Sequence, residues 1–560
     1  MKKKICEQTY HGFRTRAQRT VNFFIFLFVS ICFVPLMARA NNLIIEGFEV
    51  DSIDTAANTI TYVCDVSWDN SWRTTTNNDS VWVFLKYSTD AGVNWDHASM
   101  SLSGTDPMGF APPVDFEVVV PNDEKGFFLQ RTDLSSGSVS AEGVKFVWDY
   151  AQDGLSDDEA TASNTINKIF GIEMVYIPEG SFSAGDSSSS SEYPFKQGSA
   201  DSDPWYIQGE ESITTANVVS DGYYYQSAGV TGENASGDVF LISTSFPKGY
   251  RSFYIMKYEL TEGQWTSFFN SLSHAAKTNR DITGFQEGGK NSDSVVDRNT
   301  ISWDHVDVKS IATTQRPDRP VTYISWTDLM AYADWAGLRP MTELEYEKAA
   351  RGVDISAVPN EFAWGTASYN TAESSEIYPN GDEDGTEQIF DGAANINRNS
   401  LGWTSGDGRA GGIAVGQKGP VRAGIFAESS TNRETSGASF YGVMELSGNL
   451  YEMCVTVGRI EGRQYLGTHG DGRLSSVSGY EGNATNTDWP GINTSDSARG
   501  ITGTLGSGYR GGDFQSVSSL HFQVSNRTLA VRDADTGGFQ ERYDATAGVY
   551  QGGRLVRTAP

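Results

Sequence analysis

Cysteine is scarce in this chain, with 4 among 560 residues. Cys6 and Cys32 fall within the first forty positions, and Cys64 and Cys454 are separated by most of the remaining length. Such spacing excludes a disulfide-framed scaffold. Histidine is equally sparse at 6, and no two histidines have a His-x-x-x-His or His-Glu-x-x-His spacing that points to a metal helix. Basic charge is short as well: 42 Lys+Arg face 71 Asp+Glu, for a formal net charge of -29. Phosphate binding needs concentrated Lys and Arg, so nucleic acid is excluded as a partner. Beyond residue 40 no apolar run reaches the ~20 residues of a membrane-spanning helix, so no transmembrane segment is expected after that point.

The first forty residues are the exception in texture. Lys2, Lys3, Lys4, Arg14, Arg16 and Arg19 precede an apolar stretch from Phe23 to Met37, and Ala38-Arg39-Ala40 supplies a small-x-small pattern. This reads as a secretory signal (1–40) cleaved after Ala40, and predicts a secreted, periplasmic or cell-surface protein. Removing it leaves a still more acidic chain, whose field attracts cations such as calcium.

Aromatic residues are plentiful at 12%, which argues against disorder. Between residues 41 and 150, runs such as Asn58–Trp68, Ser80–Ser88, Phe116–Val120, Gly126–Arg131 and Val144–Tyr150 are β-branched and aromatic, with turn residues between them. They predict an all-β sandwich of immunoglobulin or fibronectin type, acting as a spacer or docking module. Residues 151–168 are acidic and small and read as a linker. From 169 to 560 the pattern becomes mixed α and β. Thr261 with Gln264, and Thr342 with Glu345, are capping boxes, and Ser325 opens a third helix that stops at Gly337. Past Glu361 the chain is rich in glycine and irregular, which predicts long loops. The fold class expected is α+β.

Several segments of this second region, taken in order, resemble the formylglycine-generating enzyme, or sulfatase-modifying-factor, family. They are Glu173–Phe182 (EMVYIPEGSF), Phe253–Trp265 (FYIMKYELTEGQW), Arg319–Gly352, Phe362–Gly365 (FAWG), Met444–Glu452 (MELSGNLYE), Gly508–Gly512 (GYRGG), Val524–Arg527 (VSNR) and Gly552–Arg557 (GGRLVR). The resemblance implies a C-type-lectin-like fold with many irregular loops. The family includes copper-dependent oxidases that convert a substrate cysteine to formylglycine, iron enzymes and lectin-like binding proteins.

In the oxidases two cysteines five residues apart hold Cu(I) as a bis-thiolate, the soft donor set that ion prefers. Counting from Gly511-Gly512 along the family pattern places Ser516 and His521 at those positions. A hydroxyl and one imidazole do not replace two thiolates, so copper and the oxidase activity are expected to be absent, and no catalytic residue is assigned. The resemblance further implies structural Ca²⁺ held by Glu445, Gly448, Leu450 and Glu452, and a second ion at Asn395, Ile396 and Asp407. Oxygen-only ligation of that kind suits calcium. Tyr509, Phe514, Phe522, Phe539, Tyr543 and Tyr550 lie in the glycine-rich end of the chain and are candidates for stacking on a ligand.

The function expected is therefore an exported, non-catalytic, calcium-stabilised binding protein for a glycan, peptide or surface partner. Two alternatives stand beside it. One is a formylglycine-generating oxidase with an atypical site. The other is a lectin-like variable protein of a diversity-generating retroelement, for which the Ser-, Thr-, Asp- and Tyr-rich tail between Gly512 and Gly552 would be the variable region.

Overall fold

The strand Asp79–Ser88 (DSVWVFLKYS) is buried along all ten of its residues, and that burial explains how the molecule is organised. A strand with both faces covered carries apolar residues on both, instead of alternating with polar ones. In the computed structural model, which describes residues 42–188, 192–197, 203–215, 222–224, 239–284, 298–307, 309–371, 394–398, 419–428, 430–531 and 550–560, its two faces enter two different cores. Val81, Val83 and Leu85 join Ile60, Tyr62, Cys64, Val66 and Trp68 in one. Trp82 and Phe84 join Phe170, Trp265, Trp326 and Trp335 in the other.

The first core lies between two β layers. Strands Ile44–Asp54, Thr59–Trp72 and Ser136–Asp149 form its outer sheet, with Thr59–Trp72 central. Its inner layer is one end of a nine-stranded sheet, and this sheet departs from the expected domain plan. Asp79–Ser88 pairs antiparallel along its length with Ile166–Ile177, from Asp79 opposite Val175 to Ser88 opposite Ile166. Ile166–Ile177 then pairs with Phe253–Met256, which pairs with the C-terminal strand Leu555–Thr558. The sheet thus runs without a break from Gly104–Thr105 at one edge, through these strands, to Arg339–Pro340 beside Leu555–Thr558 at the other. Residues 151–168 form structure where a linker was expected. Ser156 caps a helix at Asp157–Ala160 through a capping box with Glu159, and residue 166 already begins a sheet strand.

The three predicted helices are present. Glu262–Phe269, Trp326–Trp335 and Glu343–Arg351 each start at a capping box, with Thr261, Ser325 and Thr342 as the caps. Gly352 ends the last at φ 101, a conformation that favours glycine. All nine residues of Glu343–Arg351 are buried, and its three carboxylates are paired: Glu343 with Arg527, Glu345 with Arg339, and Glu347 with Arg351 and Arg510. Beyond residue 361 strands are short. A three-stranded sheet, Ser507–Arg510, Tyr451–Val455 and Gln551–Gly552, frames the site described next. The architecture is sheet-rich α+β. No described helix is long and apolar enough to cross a membrane.

Candidate functional site

Backbone geometry brings Ser516 and His521 together. The strand Ser507–Arg510 runs into Gly511 (φ 91) and Gly512 (φ 74), both in the left-handed region. Neither position has room for a side chain. A Cβ on Gly511 would lie 2.8 Å from the Leu446 carbonyl oxygen, and one on Gly512 2.5 Å from the Phe522 ring. Asp513 then accepts hydrogen bonds from the amides of Gln515 (2.9 Å) and Ser516 (2.6 Å), which turns the chain. Burial raises the Asp513 carboxyl above its ordinary range. A single 3-10 turn, Ser519–Phe522, follows, and the side chains of Ser516 and His521 end side by side, both half-buried.

Their contact is shared by a third residue. His521 Nδ1 lies 3.4 Å from Ser516 Oγ, and the Tyr451 hydroxyl lies 3.1 Å from His521 Nδ1 and 3.3 Å from Ser516 Oγ. Tyr451 begins the strand Tyr451–Val455, paired with Ser507–Arg510. The sequence reading missed it, although it stands inside the MELSGNLYE segment between two residues assigned to calcium. The three side chains make a hydrogen-bonding cluster of two hydroxyls and one imidazole. Its groups both donate and accept hydrogen bonds, and it lacks the thiolates that Cu(I) takes. Cys454, on the same strand, is fully buried with Sγ toward the Gly508 carbonyl, and burial pushes its thiol far above the usual range. Cys64 is also buried and free.

The residues expected to hold calcium adopt a different arrangement in part. Both oxygens of Glu452 accept from Arg554, at 2.9, 2.8 and 2.6 Å, in a fully buried pair. Arg554 also donates to the carbonyls of Met256, Lys257 and Met444. The Arg554 guanidinium thus already occupies the Glu452 carboxylate that was expected to serve calcium. Glu445 differs. Its Oε1 accepts from the Gly424 amide at 2.8 Å, whereas its buried Oε2 has no hydrogen-bond partner. Burial raises the Glu445 carboxyl to about 7, and burial together with Glu452 raises Glu259 well above its ordinary value. Glu259 accepts from Asn449 Nδ2 (2.6 Å) and from the Leu450 amide (3.0 Å). Three buried acidic side chains therefore surround one guanidinium. Gly448 and Leu450 sit in the adjoining backbone, with the Gly448 amide donating to Gly511.

At the second expected position the Asn395 side chain is occupied. Its Nδ2 donates to Glu434 O at 2.9 Å and its Oδ1 accepts from the Asn370 amide at 2.9 Å. Ile396 packs in a small apolar cluster with Phe362, Trp364 and Phe522. Asp407 lies outside the described residues, as do Phe539 and Tyr543. Among the described residues no group of three or more His, Cys, Asp or Glu is arranged to hold a metal.

Three aromatics expected to meet a ligand belong to the core instead. Tyr509 is 3% exposed with its hydroxyl donating to Gln551, and Phe514 and Phe522 are fully buried. In a segment with so little regular structure, aromatic side chains supply the packing that helices and strands supply elsewhere. Tyr550 remains partly buried, its ring 5.8 Å from Phe514.

Comparison with known proteins agrees with the motifs. Residues 247–498 match the model of the sulfatase-modifying factor enzyme 1-like domain. The chain is 29% identical over 115 residues to the formylglycine-generating enzyme of Bos taurus, covering 18% of this chain and 31% of that protein. It is 59% identical over 39 residues to the formylglycine-generating enzyme of Thermomonospora curvata, 7% of this chain and 13% of that protein. A third relative is the hercynine oxygenase of Mycolicibacterium smegmatis, 38% identical over 55 residues, 10% and 13% of the two chains. The chain thus spans less than a third of the length of the curated relatives it matches. It carries a sulfatase-modifying-factor family domain. Ser516 and His521 lie beyond the C-terminal end of the matched range.

Proposed function

We propose that this chain is an exported, non-catalytic binding member of the sulfatase-modifying-factor family with a C-type-lectin-like domain. Its ligand is a glycan, a peptide or a surface partner. One observation carries the reading: Ser516 and His521, which the motif count from Gly511-Gly512 sets at the oxidases' cysteine positions, are hydrogen-bonded to each other and to Tyr451. Hydroxyls and imidazole both donate and accept, which suits polar ligands, and neither hydroxyl binds Cu(I) as a thiolate does. The fully buried Cys454 supports it, since the only thiol of this region sits in a sheet interior with its reactivity suppressed. Calcium belongs to the proposal at the Glu445 Oε2 and the carbonyls beside it, where it would offset excess buried negative charge.

Screening the immobilised full chain against glycan and peptide arrays tests the proposal. A ligand is expected that loses at least about tenfold in affinity, or ~1.4 kcal/mol, on Tyr451→Phe or His521→Ala, and that weakens in EGTA. Binding indifferent to both substitutions would remove the site from the account.

A further inference from the structure

The cluster of Tyr451, Ser516 and His521 is reached by a continuous chain of contacts that starts outside the family match. Trp72 ends the strand Thr59–Trp72, and its indole packs on Gly442 so closely that a Cβ there would lie 3.0 Å from the ring. Asn77, in the loop that follows, donates from Nδ2 to the Tyr441 carbonyl at 3.1 Å. Asp79 is fully buried and gathers Trp68 Nε1 (3.1 Å), Ser71 Oγ (2.9 Å) and the Trp72 amide (2.9 Å). It also pairs with Lys257 Nζ at 3.3 Å, and Lys257 lies 4.8 Å over the Trp72 ring.

Lys257 passes the contact on. Its carbonyl accepts from the Met444 amide at 3.0 Å and from Arg554 at 3.1 Å, and Arg554 grips Glu452, the residue after Tyr451. The segment so held is conformationally costly. Gly442 and Gly448 have φ of 86 and 93, and two residues with side chains, Glu445 and Asn449, have φ of 53 and 66. Left-handed backbone at non-glycine positions persists only when the surroundings over-determine it. The hairpin from Trp72 to Asp79 supplies those surroundings on one side.

We infer that Trp72, Asn77 and Asp79, all in the N-terminal β layers, are positioning residues for the Tyr451–Ser516–His521 site. The N-terminal region is then part of the binding apparatus, where its sequence reads as a spacer. Precise placement of polar groups depends on a supporting shell whose own geometry is fixed. The inference concerns the geometry of the site and holds whichever ligand the site takes.

NMR of the full chain with labelled histidine, at one fixed pH, tests this without a ligand. His521→Gln assigns the His521 signal. Asn77→Ala and Trp72→Leu are each expected to displace the His521 ring signals from their native positions, while Val50→Ala, on the exposed edge strand, leaves them in place. Thermal melting of each variant separates positioning from stability. A lower melting temperature with an unmoved His521 signal in both variants would show a purely structural role and overturn the inference. So would an equal shift in the Val50→Ala control.

Discussion

At the scale of single residues, charge placement inside the molecule gives the sharpest expectations. Arg554 is fully buried and serves Glu452 directly, with Glu259 and Glu445 near it. Replacing it by Met strands buried carboxylates, and removing one partner of a buried pair costs about 3–5 kcal/mol. Urea unfolding of Arg554→Met measures this, and Arg554→Lys is expected to recover only part, since an ammonium cannot grip a carboxylate with two parallel hydrogen bonds. A loss below about 1 kcal/mol would mean that the carboxylates are neutral or otherwise compensated. His469 gives a pH dependence. Its Nε2 accepts from the Thr558 amide at 3.0 Å, and its Nδ1 lies 3.4 Å from Asp123. Burial, then the nearby Arg557 cation, lower its pKa from 6.5 to about 4. The folded state thus favours the neutral ring, so this group's contribution is present above pH 6.5 and is lost as pH falls toward 4. The full shift corresponds to about 3 kcal/mol at most, less here because the side chain is 21% exposed. Asp334 works in the opposite sense, since burial raises its carboxyl from 3.8 to about 7 and its penalty grows as pH rises across that window. The melting temperature of the native chain minus that of His469→Gln isolates the histidine, and this difference is expected to shrink between pH 6.5 and 4.

At the scale of elements, the strand Asp79–Ser88 joins the two cores. A chain of residues 169–560 would lose Trp82, Phe84 and Phe128 from the larger core and expose the length of Ile166–Ile177 that remains. Such a fragment is expected to lack a cooperative thermal transition and to bind a hydrophobic dye. A native-like melt would show that the family region is self-sufficient. The helices were legible in the sequence because capping boxes and apolar spacing are local signals, and three of three begin where Thr261, Ser325 and Thr342 place them. The sandwich strands were legible for the same reason. The sharing of a sheet was not, because Ile166–Ile177, which pairs with Asp79–Ser88 from Asp79 opposite Val175 to Ser88 opposite Ile166, is far along the chain, and the acidic stretch just before it reads as a spacer. At the site, the motif count brought Ser516 and His521 to the same place, yet Tyr451 was hidden by its neighbours in the motif. The burial of Tyr509, Phe514 and Phe522 was also out of reach, since irregular chain carries no periodicity from which to read a buried face.

At the scale of the whole molecule, an acidic chain with a net charge of -29 carries a sulfatase-modifying-factor domain braced by N-terminal β layers. The oxidase chemistry of the family's copper enzymes is proposed to be missing from this molecule. The most direct test is mass spectrometry of a cysteine-containing sulfatase peptide after incubation with residues 41–560 of this chain, copper and oxygen, beside an active formylglycine-generating enzyme. The account predicts an unchanged cysteine with this chain and the aldehyde with the control. Conversion by this chain would contradict it and place the reacting groups somewhere other than Ser516 and His521.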